Sequence, residues 1–401
     1  MRLYRNLAQA AVQALEEIFQ QGNLADRVVQ STLKSNKKWG SKDRKFLAGT
    51  IYDVVRWYRR YYEVLGREPS TPSDWWQLLA TKWYLDGETL PEWEEFEGID
   101  SAAVLARYEE LKSVRKIRES IPDWLDELGS QELPLQWDNT LAASNEQADL
   151  TIRVNTKLTT EDKLIQHLEK QQVIAEKTST PNALVIPKRQ KITQLEAYKR
   201  GWFEVQDISS QWVAPLLAPT PNSVVVDACA GAGGKSLHLA NLINNKGKII
   251  ALDVSGRKLQ ELQKRAKRAN SKCIYTQTIK HESSIEKLHD QADFLLLDVP
   301  CSGLGTLRRS PYTKWHLTPE FIEEIRQTQQ DILQRYTPIC KVGGRLVYAT
   351  CSILPSENEQ QVQTFLASTS GADFRLIQDK SILPQDGLGD GFYMALLERL
   401  S

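Results

Sequence analysis

From about residue 216 onward, apolar strand-like runs alternate with amphipathic helical stretches, and this alternation limits the fold more than any other feature of the chain. The run "SVVVDA" leads into "KSLHLANLINN", then "GKIIALDV", then the helix "GRKLQELQKRAKRAN". The strands "CIYTQTI" and "ADFLLLDV" follow, then the long helix "PEFIEEIRQTQQDILQRYTPI" and the strand "GGRLVYATC". Strands separated by helices pair in parallel with helices on both faces, so residues 216–401 are expected to form an α/β, Rossmann-like doubly wound sheet.

Two other textures precede it. Residues 1–140 are helical by pattern: "LAQAAVQALEEIFQQG" and "DRKFLAGTIYDVVRWYRRYYEVLG" repeat apolar residues at three- and four-residue steps, and each closes on a glycine. Residues 141–215 place the short strands "LTIRVNT" and "NALVIP" around the helix "TEDKLIQHLEKQQ", a small α+β layout. No apolar run is long enough to span a bilayer, and "MRLYRNLAQA" lacks the apolar core of a secretory signal, so a soluble cytoplasmic protein without a membrane partner is expected. Nothing in the pattern demands an oligomer, and a monomer is expected.

Net charge is zero, yet Arg27 to Arg60 holds ten basic residues against Asp43 and Asp53. Such a block is either a solvated helical face or a patch that tracks phosphates. The five cysteines have neither CxxC nor zinc spacing, so no metal site is expected, and an odd count points to reduced thiols.

Three cysteines stand beside motif-like residues. In "DACAGAGGKS" the turn Cys229, Ala230, Gly231, Ala232, Gly233, Gly234, Lys235 lies between a strand and a helix, where glycine permits positive φ and helix N–H groups are free to meet a ligand. A P-loop reading fails because Cys229 occupies the first glycine position. A dinucleotide fingerprint fails because Ser236 stands at its third glycine. An S-adenosylmethionine site remains, with Asp253 at the end of the next strand for the ribose hydroxyls, although that carboxylate would equally suit NAD. Cys301 follows the strand that ends at Asp298, and Cys351 follows "GGRLVYAT". Open α/β sheets bind ligands beyond their strand C-termini, so Asp298, Cys301 and Cys351 are expected to converge near the glycine turn. Burial of both cysteines as small hydrophobes is the plain alternative, but each comes after a strand and not within it. Two thiols beside a methyl donor suit C5 methylation of a pyrimidine: one adds to C6 and makes C5 nucleophilic, and the other assists release. The S-x-x-E of Ser356 and Glu359 suggests a capping box after Cys351.

These stretches together resemble the Sun/Nop-type family of RNA 5-methylcytosine methyltransferases, in its bacterial ribosomal RNA branch. "IRVNT", "FEVQDISSQWVAPLL", "DACAGAGGKS", "LLLDVPCSGLGTLRRSP", "KW", "GGRLVYATCSILPSENEQQV" and "DGFYMALL" occur in family order. The resemblance implies a class I S-adenosylmethionine-dependent methyltransferase acting on RNA, with Cys351 as nucleophile and Cys301 in product release. It implies Asp298 and Lys235 near the cytosine and cofactor, the turn from Cys229 to Lys235 on the cofactor, and Asp253 on the ribose. Arg153, Asn155, Arg308, Arg309, Lys314 and Trp315 would contact RNA. Residues 1–140 resemble a NusB-like RNA-docking domain more loosely. Two departures stand out: the family's "APGGK" is "AGAGGK" here, and the acidic residue that meets adenine is missing near Ile279, leaving the backbone, His281 or Glu282 for that role. A catalytically silent ribosome-assembly factor is the non-enzymatic alternative. A Cys–His hydrolase is disfavoured because none of the five histidines sits in a supporting motif.

Overall fold

The computed structural model describes residues 3–188, 190–387 and 389–401. The chain packs as two units, one of residues 1–145 with 309–319, the other of residues 146–308 with 320–401. The segment Arg309–Pro319 thus leaves the sequence of the second unit to pack with the first. Among the described residues no helix is long and apolar enough to cross a membrane.

The first unit is helical. Its main helices are Arg5–Phe19, Ala25–Ser35, Ser41–Leu65 and Pro72–Leu85. The three- and four-residue apolar spacing puts Leu15, Ile18, Leu47, Ile51 and Val54 into one core, and the Trp-rich stretch fills it with Trp75 and Trp83. Thr71 caps the fourth helix by accepting the Asp74 N–H, and Gly66 ends the third in the left-handed region. The basic block divides in two. Arg27, Lys34, Lys37, Lys38, Lys42 and Lys45 are exposed. Arg59 is spent internally, donating to the Ile121 carbonyl at 2.8 Å, and Arg56 donates to the Ser144 carbonyl at 3.2 Å.

The second unit holds two sheets. Strands β1 (Leu150–Val154), β2 (Glu176–Lys177), β3 (Ala183–Ile186) and β4 (Phe203–Val205) form an antiparallel sheet in the order β2-β3-β1-β4. Strands β5 (Ser223–Asp227), β6 (Gly247–Asp253), β7 (Ile274–Thr278), β8 (Ala292–Asp298), β9 (Cys340–Thr350), β10 (Phe374–Ile382) and β11 (Phe392–Arg399) form the larger one, ordered β10-β11-β9-β8-β5-β6-β7. Its β9-β8-β5-β6-β7 portion is parallel, while β11 runs antiparallel to both β9 and β10. Alternate residues enter two cores, Val226, Leu295, Leu297 and Tyr348 on one face and Val225, Leu296, Val347 and Ala349 on the other. Burial on both faces explains why β8 reads as the continuous run "FLLL". The chain builds outward from β5 through β6 to β7 and then resumes on the other side with β8. A switch point therefore lies beyond the ends of β5 and β8.

Candidate active site

The glycine turn follows β5 at that switch point. Gly233 has φ +85° and starts the helix Gly234–Leu242, and a Cβ on it would lie 1.9 Å from Leu262 Cδ1. Glycine is required here by conformation and by space. Gly233→Ala is expected to lower the unfolding free energy by about 2–4 kcal/mol, summing left-handed strain with overpacking. Denaturant or thermal unfolding reads this, and an unchanged midpoint would mean the turn relaxes freely. By contrast, nothing lies within 4 Å of a Cβ built on Gly231 or Gly234.

That space belongs to a cleft of about 590 Å³. Cys229, Ala230, Gly231, Ala232, Gly234, Lys235, Asp253 and Asp298 line it, eight of the nine expected cofactor residues, with Gly233 turned into the core. Asp253 accepts the Gly231 N–H at 2.8 Å and the Ser255 N–H at 2.7 Å, one on each oxygen, so it stiffens the turn and still offers a lone pair on each oxygen. Val254, Ile279, Ile332 and Tyr336 also line the cleft, with Thr328 and Asp331. An apolar slot for a flat base, a carboxylate for a diol and a glycine turn with free N–H groups fit S-adenosylmethionine well. His281 and Glu282, the expected substitutes at the adenine end, do not line this cleft, and Glu282 pairs with Arg335 at 3.1 Å. Ile279 itself lines it, and the helix Pro319–Tyr336 contributes Thr328, Asp331, Ile332 and Tyr336. Asp253→Ala is expected to weaken cofactor binding about tenfold to a hundredfold, the loss of hydrogen bonds to a charged group. Calorimetry reads it, and an unaltered Kd would remove Asp253 from the site.

Asp227, at the end of β5, escaped the sequence reading although it opens the quoted motif. It is buried, accepts the Ser236 hydroxyl at 2.5 Å, and burial pushes its carboxyl up to about 7. It ties strand to helix beneath the turn.

The cysteines meet as their strand positions demand. Asp298 stands level with Ala349 where β8 and β9 pair, so Cys301 and Cys351 emerge together. Their sulfurs are 3.2 Å apart, and both residues are half-buried. Hydrogen bonding to Cys351 and burial push the Cys301 thiol well up. Gly305 fixes the second turn by donating its N–H to the Cys351 carbonyl at 2.9 Å, and a Cβ on it would lie 2.7 Å from that oxygen. Asp298 accepts from Lys235 Nζ at 2.6 Å, and that ammonium lies 4.9 Å from the centre of the Phe392 ring.

The expected RNA-contacting residues are placed differently. Arg153 is buried and donates to the Gly234 carbonyl at 3.0 Å and to the Gln206 side chain. Asn155 donates to the Gly201 and Ala269 carbonyls at 3.0 and 3.1 Å. Arg308, also buried, donates to the carbonyls of Pro384, Gly387 and Gly389. Lys314 is buried in the helical unit, where Nζ donates to the Arg56 carbonyl at 2.8 Å and burial drives its ammonium well down. Trp315 donates to the Val55 carbonyl at 2.6 Å and packs edge-on against Tyr58. Each of these five donates to groups within its own unit, and all but the half-buried Trp315 are buried. Arg309 is half-buried in the same segment as Lys314. The capping box is corrected as well: the helix Glu359–Leu366 starts after Asn358, and Ser356 lies in the preceding short turn Pro355–Glu357.

Comparison with known proteins agrees with this geometry. A family model described as 16S rRNA methyltransferase RsmB/F matches residues 214–398, and one described as a Methyltr_RsmF/B-like, ferredoxin-like domain matches residues 121–193. A relative in Synechocystis sp. (strain ATCC 27184 / PCC 6803 / Kazusa), named probable ribosomal RNA small subunit methyltransferase B, is 31% identical over 98% of this chain and 99% of its own. Ribosomal RNA small subunit methyltransferase B of Photorhabdus laumondii is 33% identical, over 69% of this chain and 66% of its own. The fold is shared with the crystal structure of PH0851 (TM-score 0.84, 24% identity, 100% of both chains). It is shared too with NSun6 from Pyrococcus horikoshii with SFG (TM-score 0.65, 21% identity, 71% of this chain and 99% of that one). With a relative 31% identical over nearly its whole length, the chain belongs to the RsmB/F family of S-adenosylmethionine-dependent 16S rRNA methyltransferases.

Proposed function

We propose that the protein methylates C5 of a cytosine in small-subunit ribosomal RNA through a covalent bond between Cys351 and C6. The observation that carries this reading is the pair of sulfurs 3.2 Å apart at the ends of adjacent parallel strands, next to the cleft. S-adenosylmethionine, held by the turn from Cys229 to Lys235 and by Asp253, supplies an electrophilic methyl group when bound.

The chain's own residues do the rest. Cys351 loses its proton to solvent, which a half-buried thiol can reach, and adds as thiolate to C6. The added electron pair spreads over the ring toward N3. The Asp298–Lys235 pair offers an acceptor for the exocyclic amine and a charged donor for the ring atoms whose electron density rises. After methylation the C5 proton must leave. Its electrons restore the C5=C6 bond, and the C6–S bond breaks to return the Cys351 thiolate. Cys301 is the base for that step. Before attack it is kept protonated chiefly by its hydrogen bond to Cys351. Forming the Cys351 thioether removes that hydrogen bond, and Cys301 passes its own proton to solvent before it takes the one from C5.

RNA docking falls to the exposed lysines and arginine of the helical unit, Arg27, Lys34, Lys37, Lys38, Lys42 and Lys45, which point charge into solvent. The test is transfer of labelled methyl from S-adenosylmethionine to unmodified small-subunit RNA, with site mapping. Label at one position as 5-methylcytosine is expected. Label on a ribose or an exocyclic amine, or none despite cofactor binding, would overturn the reading, the last in favour of an assembly factor.

A further inference from the structure

Both cysteine turns hang on a single buried carboxylate. Glu357 has no exposed surface and receives four hydrogen bonds. Its Oε1 accepts from the hydroxyls of Ser302 and Ser352, each at 2.5 Å. Its Oε2 accepts from the Ser302 N–H at 2.8 Å and from Gln329 Nε2 at 3.0 Å. Ser302 directly follows Cys301 and Ser352 directly follows Cys351, and their hydroxyl oxygens lie 3.1 Å apart. Gln329 reaches the carbonyl of Pro300 as well, at 3.0 Å, so Cys301 is held on both sides. The next residue does the same for Cys351: Asn358 accepts the Thr350 hydroxyl at 2.5 Å and donates to the Ser352 carbonyl at 3.1 Å.

A carboxylate taken out of water is costly unless every oxygen is satisfied, and here each oxygen has two donors. Glu357 does not line the cofactor cleft. Its partners belong to the turns that carry the sulfurs and to the helix behind them. Two sulfurs that must address C6 and the C5 proton of one ring need a fixed separation, and a shift of about 1 Å in such a pair costs on the order of 10²-fold in rate.

We propose that Glu357 is a positioning residue that sets the places of both sulfurs by clamping Ser302 and Ser352. This rests on the roles assigned above to Cys351 and Cys301. The clamp needs acceptors and donors in place more than it needs charge. In Glu357→Gln the amide oxygen can accept from the Ser302 N–H and Gln329, and the amide nitrogen can donate to two hydroxyls that are free to rotate.

The test compares Glu357→Gln, Glu357→Ala, the double variant Ser302→Ala/Ser352→Ala and Cys351→Ala in the full-length chain. Steady-state methyl transfer, calorimetric binding of S-adenosylmethionine and a pH–rate profile are measured for each. The double variant leaves Glu357 Oε2 bonded to the Ser302 N–H and Gln329 but strips Oε1 of both donors, so thermal unfolding is measured for every variant and rates are compared on folded protein only. It is expected to lose about 10²-fold in kcat with unchanged KM for RNA and unchanged cofactor affinity. Glu357→Gln is expected to remain within about tenfold of the parent, with the same pH profile. Full kcat in the double variant, or a loss matched by cofactor binding, would refute the clamp. So would a Glu357→Gln variant as inactive as the alanine one with a displaced pH profile, since charge would then be the role. Methyl transfer surviving in Cys351→Ala would instead sink the cysteine reading, so the two failures are separable.

Discussion

Cys351→Ala is expected to reduce methyl transfer by on the order of 10⁴-fold or more while S-adenosylmethionine binds as before. Removing a covalent nucleophile removes the whole pathway it opens, because C5 of cytosine is not nucleophilic enough to attack unaided. The cofactor cleft is lined by the glycine turn, Asp253 and the helix Pro319–Tyr336, without Cys351, so binding and catalysis separate cleanly. The substitution is also mild for the fold, because the residue is half-buried and its backbone carbonyl, not its sulfur, receives the Gly305 N–H. The measurement is single-turnover methylation of small-subunit RNA beside calorimetric cofactor titration. A variant retaining more than a few per cent of the parent rate would show that the thiol does not form the bond, and the pairing with Cys301 would need another explanation.

The parallel sheet was legible because its signals are local. The β8 run "FLLL" between polar turns and the helix "GRKLQELQKRAKR" each announce themselves in a window of a few residues. The site was legible to the extent that strand ends define it: Asp253, Asp298, Cys301 and Cys351 had to lie on one edge once the sheet was parallel. Elsewhere local sequence was silent. An arginine that meets a phosphate and one that meets three carbonyls, as Arg308 does, look alike in a string. Ile332 and Tyr336 line the cleft from a helix well separated in sequence from the glycine turn, and only packing brings them there. Glu357 was overlooked between Ser356 and Glu359, which together read as a capping box. Its carboxylate turns inward, and nothing short of the two serines' positions in space reveals why.

Cys301→Ala is expected to trap the enzyme on its RNA. Attack by Cys351 and transfer of the methyl group do not require the second sulfur, so the first turnover proceeds. Without a base at the C5 proton, the C6–S bond cannot break at its normal rate, because elimination needs that proton's electrons to rebuild the double bond. Losing a positioned base costs typically 10²–10⁴-fold, so multiple turnover should fall by on the order of 10³-fold and a denaturant-stable protein–RNA adduct should accumulate. Gel electrophoresis under denaturing conditions detects the adduct, and mass spectrometry locates it on Cys351. The alanine also removes the hydrogen bond between the sulfurs at 3.2 Å, which frees Cys351 for attack and adds to the build-up. Double replacement of Cys301 and Cys351 removes the adduct if Cys351 forms it. Normal turnover by Cys301→Ala with no adduct would show that release does not need Cys301 and that the assigned division of labour is wrong. An adduct that persists in the double variant would place the covalent bond on a different residue altogether.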